Sequence, residues 1–491
     1  MVRRAQRDIH KPIRRRATAQ LEVSGRHAVR TGDGEPKGES TATPTADAYQ
    51  TSRTKAELPS GAKRGPGSAS SIVAVRQRDV SVGLGRKALV LNSGSSSIKF
   101  QVRQEGGKAL LSGKVERIGE DESKLVLKVG GKSFELSRPI KDHEEGLRLI
   151  VEALTDPSRG AMKLEDLSAV GHRVVHGGPR FKEPVRIDGD VEAAIAEYAK
   201  LAPLHNPPAL AGIAAVHKVL GALPQIAVFD TAFHATLPEE ASSYALPKEW
   251  REDGVRRYGF HGISVENATL RAAKMLGRPV EQTNLIVCHL GNGASITAVH
   301  HGKSRDTSMG MTPLAGITMG TRPGDVDVGV VFHMLKQGLS IEQIEKDLNN
   351  RSGLLGLSDG LSNDVRELLA AETAGNAHAK LALEKYTEDI TEQIGAFLAK
   401  LRGDVHAIVF TGGVGENSGV LRERIVSHLN TFGFSLDRRK NGGEGSLGVD
   451  EANISPGRAA KKVLVIRADE EGAIGEAAFR LTREEQASTP R

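Results

Sequence analysis

Thiol chemistry is nearly missing from this chain of 491 residues: its one cysteine, Cys288, sits inside the apolar run 285–288. That excludes disulfides and thiolate metal clusters and fits a reducing cytoplasm. Long apolar segments are missing too. No run approaches the ~20 residues that a membrane-crossing helix requires, and the N-terminal end has no apolar core of the secretory-signal kind. The GxxxxGK(S/T) phosphate loop and the HRD and DFG sets of protein kinases are likewise absent. Positive charge, by contrast, is concentrated: residues 1–86 hold 17 Lys/Arg against 8 Asp/Glu, leaving 50 against 53 in residues 87–491, so the net charge of +6 belongs to the tail. With its Arg14, Arg15, Arg16 cluster, its Ser, Thr, Gly and Ala content and no sustained periodicity, that tail reads as a disordered basic extension. It would act as a nucleic-acid or membrane-surface arm or as an organelle-targeting segment; the plainer reading is a solvated extension or a stretch upstream of the natural start.

From Lys87 onward the composition turns globular, and 38% apolar residues over this length allow roughly two to four domains. Residues 88–102, ALVLNSGSSSIKFQV, predict a β-hairpin: an apolar run 88–91, a turn over 92–97, then Ile98, Phe100 and Val102 alternating with Lys99, Gln101 and Arg103. Gly94 and the serines Ser95, Ser96 and Ser97 gather donors at a tip that suits a polyanion. Strands over 109–117 and 124–136, the latter turning at Gly130 and Gly131, and a helix over 143–154 follow. A strand over 170–175 delivers Arg173 before Gly177 and Gly178. A helix over 190–201 precedes a loop stiffened by Pro203, Pro207 and Pro208 that carries His205 and Asn206. The strand 226–229 ends at Asp230, and open α/β sheets place ligands at such strand ends.

His261 lies between glycines in YGFHGIS, and LIVCHLGNGASITAV (285–299) echoes the opening hairpin, again returning through Ser-Ile. Two such hairpins, each opening a domain, would clasp one nucleotide from opposite sides. The loop 307–328 is too long and glycine-punctuated to be a plain connection, and it carries Arg322. Ser362, Asn363 and Asp364 are cap-type residues at a helix N-terminus. A long helix spans 377–401, and the strand 407–411 runs through Gly412, Gly413 and Gly415 into a helix over 420–429, a seat for an anion or nucleoside. A strand over 462–466 leads to Asp469, Glu470 and Glu471. Glycine turns, isolated arginines, loop histidines and strand-end carboxylates are together what phosphoryl transfer needs.

Ten motifs in order, NSGSSSIK, GHRVVHGG, LAPLHNPP, FDTAFH, YGFHG, CHLGNGAS, MGTRPGD, LSNDVR, FTGGVGENS and ADEE, resemble the acetokinase family over about residues 87–480. The resemblance implies an α/β fold of two duplicated domains of the acetate and sugar kinase, Hsp70 and actin type around an ATP cleft. The domains would be 87–233 with 469–491 returning to it, and 234–468. It implies a cytoplasmic, Mg²⁺-dependent (or Mn²⁺-dependent) transfer between ATP and acetate, giving ADP and acetyl phosphate. The enzyme would be a homodimer through the second domain, with no membrane or nucleic-acid partner for the folded part. By the same resemblance Asn92 and Glu470 hold the metal, and Ser95, Ser97 and Lys99 face the phosphates. Arg173 binds the acid, Asp230, His261 and Arg322 are catalytic, and Val175, Leu204, His205, Phe260 and Pro313 surround the acyl group. His289, Leu290, Gly291, Asn292, Gly293, Asp364, Val365, Arg366, Gly413, Val414, Gly415, Glu416 and Asn417 line the ATP site.

A carboxylate acceptor, with a pKa near ~4, is already ionised at neutral pH. It needs no general base, so the expectation for Asp230 is that it orients an arginine or a metal-bound water. The chain departs from the family pattern at Ile263, Val265, Ala468 and Asp469; the first two could alter how His261 is oriented, and Asp469 adds charge near the metal where asparagine is usual. Two other readings stay open: the same chemistry on propionate or butyrate, and a non-catalytic nucleotide-binding scaffold with a nucleic-acid-binding tail.

Overall fold

The computed structural model describes residues 85–159, 162–442 and 447–488, all within one compact unit, and the basic extension lies outside the described residues. Two sheets organise it. In the first, β1 (Lys87–Gly94) and β2 (Ser97–Gln104) form the opening hairpin, with Leu89 opposite Val102 and Asn92 opposite Lys99. The turn is tighter than the expected 92–97, because Gly94 pairs with Ser97 and the tip is only Ser95 and Ser96. β3 (Ala109–Glu116), β4 (Lys124–Val129) and β5 (Lys132–Ser137) extend this meander. On the other side of β1, β6 (Leu167–Val174) and β8 (Gln225–Phe229) run parallel to it, and β7 (Val185–Arg186) closes the edge antiparallel, giving the order β5-β4-β3-β2-β1-β6-β8-β7.

The second sheet repeats the plan. β9 (Leu285–Leu290), β10 (Ala294–His300) and β11 (Lys303–Thr307) are antiparallel, β12 (Ala407–Thr411) and β14 (Lys462–Ile466) run parallel to β9, and β13 (Glu451–Asn453) is the antiparallel edge. Its order, β11-β10-β9-β12-β14-β13, superposes element for element on β3-β2-β1-β6-β8-β7. The duplication expected from two short hairpin echoes therefore extends over six strands.

The sequence pattern explains which strands are central. β1 is apolar at four successive positions because both its faces are covered: Leu89 and Leu91 join one core cluster, Ala88 and Val90 another. β9 does the same, with Ile286, Cys288 and Leu290 on one face and Leu285 and Val287 on the other. β2, nearer the edge of the parallel part, alternates buried Ile98, Phe100 and Val102 with more open positions. The helix Ala377–Lys400 buries Leu383, Tyr386, Ile390, Ile394 and Phe397 at helical spacing against the β9 side.

Three local expectations change. The stretch around LHNPP is not a loop throughout, since Asn206 begins the helix Asn206–Leu220 with Pro207 and Pro208 in its first turn. Proline is tolerated there because first-turn N–H groups have no intrahelical acceptor. The helix expected to run over 190–201 ends at Glu197 and tightens into a 3₁₀ turn. The glycine segment after β12 is itself a short helix, Gly412–Asn417, followed by Gly419–Ser427, so strand and helix N-terminus meet with no intervening loop.

The C-terminal helix Glu470–Ser488 crosses to pack on β1, β6 and β8 of the first sheet. Its seat depends on Gly171 of β6: a Cβ there would lie 2.5 Å from Ile474 Cγ2. Gly171→Val is expected to lower the unfolding free energy by about 1–3 kcal/mol, the usual cost of overpacking, measured by denaturant titration; an unchanged midpoint would show that the helix is not seated on this strand.

Candidate active site

β1, β6 and β8 are parallel, so their C-terminal ends bring Asn92, Arg173 and Asp230 to one edge of the first sheet. The corresponding edge of the second sheet carries His289 and Leu290 of β9, the helix Gly412–Asn417 after β12, and Glu470 just beyond β14. The edges meet at Arg173. Its Nε donates to Asp230 Oδ1 at 3.3 Å, Nη2 is paired with Asp230 Oδ2, Nη1 lies 3.4 Å from Asn92 Oδ1, and Glu470 Oε2 approaches Nε at 3.7 Å. Burial disfavours the charge on both partners. For Arg173 the carboxylates of Asp230 and Glu470 outweigh it and keep the guanidinium protonated. For Asp230 burial wins over the pull of Arg173, and Glu470 adds to the rise above the ordinary carboxyl value. Asp230 thus spends its oxygens on an arginine.

His261 sits at the N-cap of the helix Gly262–Leu276 with φ of 58°, a left-handed conformation uncommon outside glycine and one that marks functional sites. The reason is close backbone approach: Gly262 N–H donates to Asp230 O at 2.8 Å, and a Cβ on Gly262 would fall 2.3 Å from that oxygen. The imidazole is held by Ser295 Oγ at 3.0 Å from Nδ1 and stacks on His289, centroids 4.3 Å apart; His289 is in turn bonded to Ser264 Oγ at 2.8 Å. Burial first, then His289, Arg173 and Arg322, hold His261 well below the ordinary histidine range. It is therefore neutral at pH 7. The departures at Ile263 and Val265 do not face its ring; both side chains are buried in apolar clusters.

Arg322 comes from the long loop. Thr307 ends β11, and from there to the helix Val328–Lys336 the chain is irregular, held by Gly320 N–H on Asn292 O and Ser352 N–H on Thr321 O. Among the described residues Arg322 has no carboxylate partner; Nη1 donates to Pro313 O at 2.6 Å, and burial lowers its pKa. A Cβ on Gly293 would lie 2.6 Å from Arg322 Nη2 and 3.4 Å from His261 Nε2, so this glycine makes room for both groups. His205 is more than a third open to solvent, and the protein around its ring, then Arg173 and Arg322, push its pKa down. Both arginines are near enough to act on the charge of His205 and His261, and Arg322 shares the space over Gly293 with His261.

Of the residues expected around the acyl group, Val175 and Phe260 are buried in one cluster, Pro313 O accepts from Arg322, and Leu204 is 58% exposed. The ATP segments converge better: Gly291, Asn292, Asp364, Val365, Arg366, Gly413, Val414 and Asn417 line one cavity of about 410 Å³. Leu290 and Gly415 lie behind it in the core, Glu416 accepts from Ala468 N–H at 2.8 Å, and Asp364 caps the helix Val365–Thr373 and pairs with Arg366, as its cap-type surroundings suggest. Ser95 and Lys99 are exposed and Ser97 half-buried at the hairpin end.

Two supports escaped the sequence reading. Asn206 is buried and bonds His176 N–H, His176 O and Ile195 O, which fixes the chain just after Arg173. Arg422 is 1% exposed and reaches no carboxylate among the described residues; it donates to Gly415 O, Glu416 O, Asn441 O and Asn441 Oδ1, holding the C-terminal end of the helix Gly412–Asn417 where cations suit the dipole. Nothing in the sequence RERIVS distinguishes Arg422 from a solvated arginine.

Two sheets of the same strand order, with glycine turns and the guanidinium groups of Arg173 and Arg322 at their strand ends, define the fold of acetate and sugar kinases, Hsp70 and actin. Comparison narrows this. Residues 87–476 match the acetokinase family. Acetate kinase of Thermotoga maritima is 49% identical over 389 residues, 78% of this chain and 96% of that protein, and that of Bacillus mycoides 46% over 399 residues, 80% and 98%. Among solved structures, Porphyromonas gingivalis acetate kinase is 41% identical with a TM-score of 0.76, covering 81% of this chain and 99% of its own. A propionate kinase from Francisella tularensis is 37% identical with a TM-score of 0.75, covering 80% and 99%. The chain belongs to the acetokinase family.

The imidazoles of His172, His176 and His234 are buried in or beside β6 and β8, and desolvation pushes each down to about 4. Unfolded, they take up protons near pH ~6.5 that the native state refuses, so stability is present above that pH and is lost as pH falls toward ~4. The melting temperature is expected to drop from about pH 7 to about pH 5 with proton uptake on unfolding; a flat Tm over that interval contradicts the neutral buried rings.

Proposed function

We propose that the chain is an acetate kinase that transfers the γ-phosphoryl group of ATP to acetate in line, giving acetyl phosphate and ADP, and catalyses the reverse reaction. The observation that carries this reading is that Arg322 Nη2 and His261 Nε2 both border Gly293, while a second guanidinium group of different environment, Arg173, stands at the end of β6. Arg173 is oriented by Asp230, while Arg322 has no carboxylate. Arg173 spends Nε and Nη2 on Asp230 and makes only a long contact to Asn92 Oδ1 through Nη1, so this end of the guanidinium is the one that would take the acid. Arg322 Nη2 and His261 Nε2 lie side by side where a transferring group would place its equatorial oxygens, and a neutral His261 donates a hydrogen bond there without adding a third charge. Being ionised already, the acid attacks phosphorus without losing a proton, so Asp230 orients Arg173 and acts as no base. The cavity of about 410 Å³ takes the nucleoside and the hairpin tip its phosphates.

Asn92 Oδ1 and Glu470 Oε2 lie on either side of the Arg173 guanidinium and offer oxygen, the donor type that a hard divalent cation selects, so these residues fit Mg²⁺ or Mn²⁺. Asn92 and Glu470 would hold it. Bound there with the nucleotide, such a cation neutralises charge on the β- and γ-phosphoryl oxygens. The nucleotide requirement and the buried, free Cys288 suit a cytoplasmic enzyme.

A second acid deserves a place because Leu204 leaves the acyl wall open and a propionate kinase shares the fold closely. One methylene changes discrimination by only about 1–3 kcal/mol, so propionate is expected to react more slowly than acetate. Trapping of acyl phosphate as hydroxamate, with ATP, Mg²⁺ and acetate, propionate or butyrate, tests the activity and the order. No product from any acid would leave a nucleotide-binding scaffold as the reading. Arg322→Ala is expected to lower kcat by roughly 10³ with little change in the KM for ATP; an unchanged kcat removes Arg322 from the transition state.

The helix Val328–Lys336 buries none of its own side chains, and Val328 (65% exposed), Phe332 (56%) and the nearby Ile341 (67%) form an apolar face beside the Arg322 loop. A face of this kind marks an interaction surface, and we assign it to a second copy of the chain in a homodimer. Phe332→Asp is expected to convert the dimer to monomer in sedimentation; a wild-type chain that sediments as a monomer contradicts the assignment.

A further inference from the structure

The reading above uses Lys99 on β2 and Glu470 on the C-terminal helix, two groups from distant parts of the chain that must keep a common register. On β2 the side chains of Lys99, Gln101 and Arg103 share one face. Arg103 Nη1 and Nη2 donate to the two carboxylate oxygens of Asp469 at 2.9 and 3.0 Å, and Nη1 also donates to Gln101 Oε1 at 3.0 Å. The same carboxylate caps the C-terminal helix, since Gly472 N–H donates to Asp469 Oδ1 at 3.0 Å and Ala473 N–H to Asp469 O at 3.1 Å. The first turns of that helix are bare where the pair lies: a Cβ on Gly472 would fall 2.1 Å from Asp469 Oδ2, and one on Gly475 3.3 Å from Arg103 Cδ.

This differs from an ordinary surface ion pair, which contributes little because it is mobile and screened. The arginine is largely shielded, the contact is a two-pronged charge-assisted one, and one partner is also a helix cap. An asparagine at this place could cap the helix but could not clamp a guanidinium with two anionic oxygens. Next to Asp469 in the chain, Glu470 reaches Arg173 Nε at 3.7 Å.

We propose that Arg103 and Asp469 are positioning residues: their clamp sets the N-terminus of the C-terminal helix against β2 and so places Glu470 opposite Asn92 and Lys99 for the metal–nucleotide complex. The inference rests on the reading of Asn92 and Glu470 as the metal-holding pair. Its consequence runs against simple electrostatics. Removing a cation near the site should tighten divalent-ion binding if charge alone matters, whereas loss of the clamp should weaken it.

Binding of Mn²⁺ in the presence of ADP, followed by the electron paramagnetic resonance of the free ion on the full chain, separates the two. Arg103→Gln and Asp469→Asn are each expected to weaken Mn²⁺ binding about tenfold, the scale of outer-shell losses in metal sites. The double variant should be no weaker than the poorer single one, because both remove one interaction. The apparent Mg²⁺ requirement for turnover should rise in parallel with the KM for acetate unchanged. Arg103→Lys, which keeps the charge but not the fork, should resemble Arg103→Gln, and it replaces that variant should Arg103→Gln fail to fold. Arg103 variants that bind Mn²⁺ as tightly as the wild type, or more tightly, overturn the inference while the metal reading stands. A wild-type chain that binds no Mn²⁺ with ADP overturns both.

Discussion

The site depends on one buried ion pair. Asp230 ends a wholly buried strand, and an unpaired carboxylate in that position would cost several kcal/mol in lost hydration. Arg173 offsets this cost and is itself oriented by it, so the two strand ends of β6 and β8 deliver a guanidinium group with a defined direction. The remaining parts follow from that choice. Glu470 arrives from the second sheet to the same guanidinium, Asn92 borders it from β1, and Gly262 packs on the Asp230 carbonyl, which forces His261 into its left-handed conformation beside Arg322.

Duplication accounts for how one cleft obtains two unlike walls. Both sheets set a hairpin beside parallel strands whose C-terminal ends open on the same side, and such ends carry the glycine turns and helix N-termini that favour anions. The first copy ends in hydroxyl groups and the Arg173–Asp230 pair. The second ends in the Gly291–Gly293 turn, packed by Asn363, Gly320 and Arg322, and in the short helix held from behind by Arg422.

Much of this was legible in the residues. The apolar runs of β1, β8, β9, β12 and β14 mark central strands because both faces are covered, and the polar residue after each run marks the cleft. The catalytic candidates could be placed at strand ends for that reason. Illegible were the features that depend on packing at a distance. The helix Asn206–Leu220 hides behind its two prolines, and the helix Gly412–Asn417 behind its glycines, whose propensity is overruled by the seat between β9 and the helix that follows. Ser264 and Ser295 stood in quoted motifs, yet their pairing with His289 and His261 needs two loops brought together. The Arg103–Asp469 clamp joins positions 366 residues apart, with no local pattern to announce it.

The central claim is spatial: both arginines and His261 address one transferring group. A crystal structure with ADP, Mg²⁺, aluminium fluoride and acetate tests it most directly. The account predicts acetate on Arg173 beside Val175 and Phe260, with Arg322 and His261 donating to the fluorides of a planar group between acetate and ADP. Arg322 turned to solvent, or acetate bound away from Arg173, would contradict it.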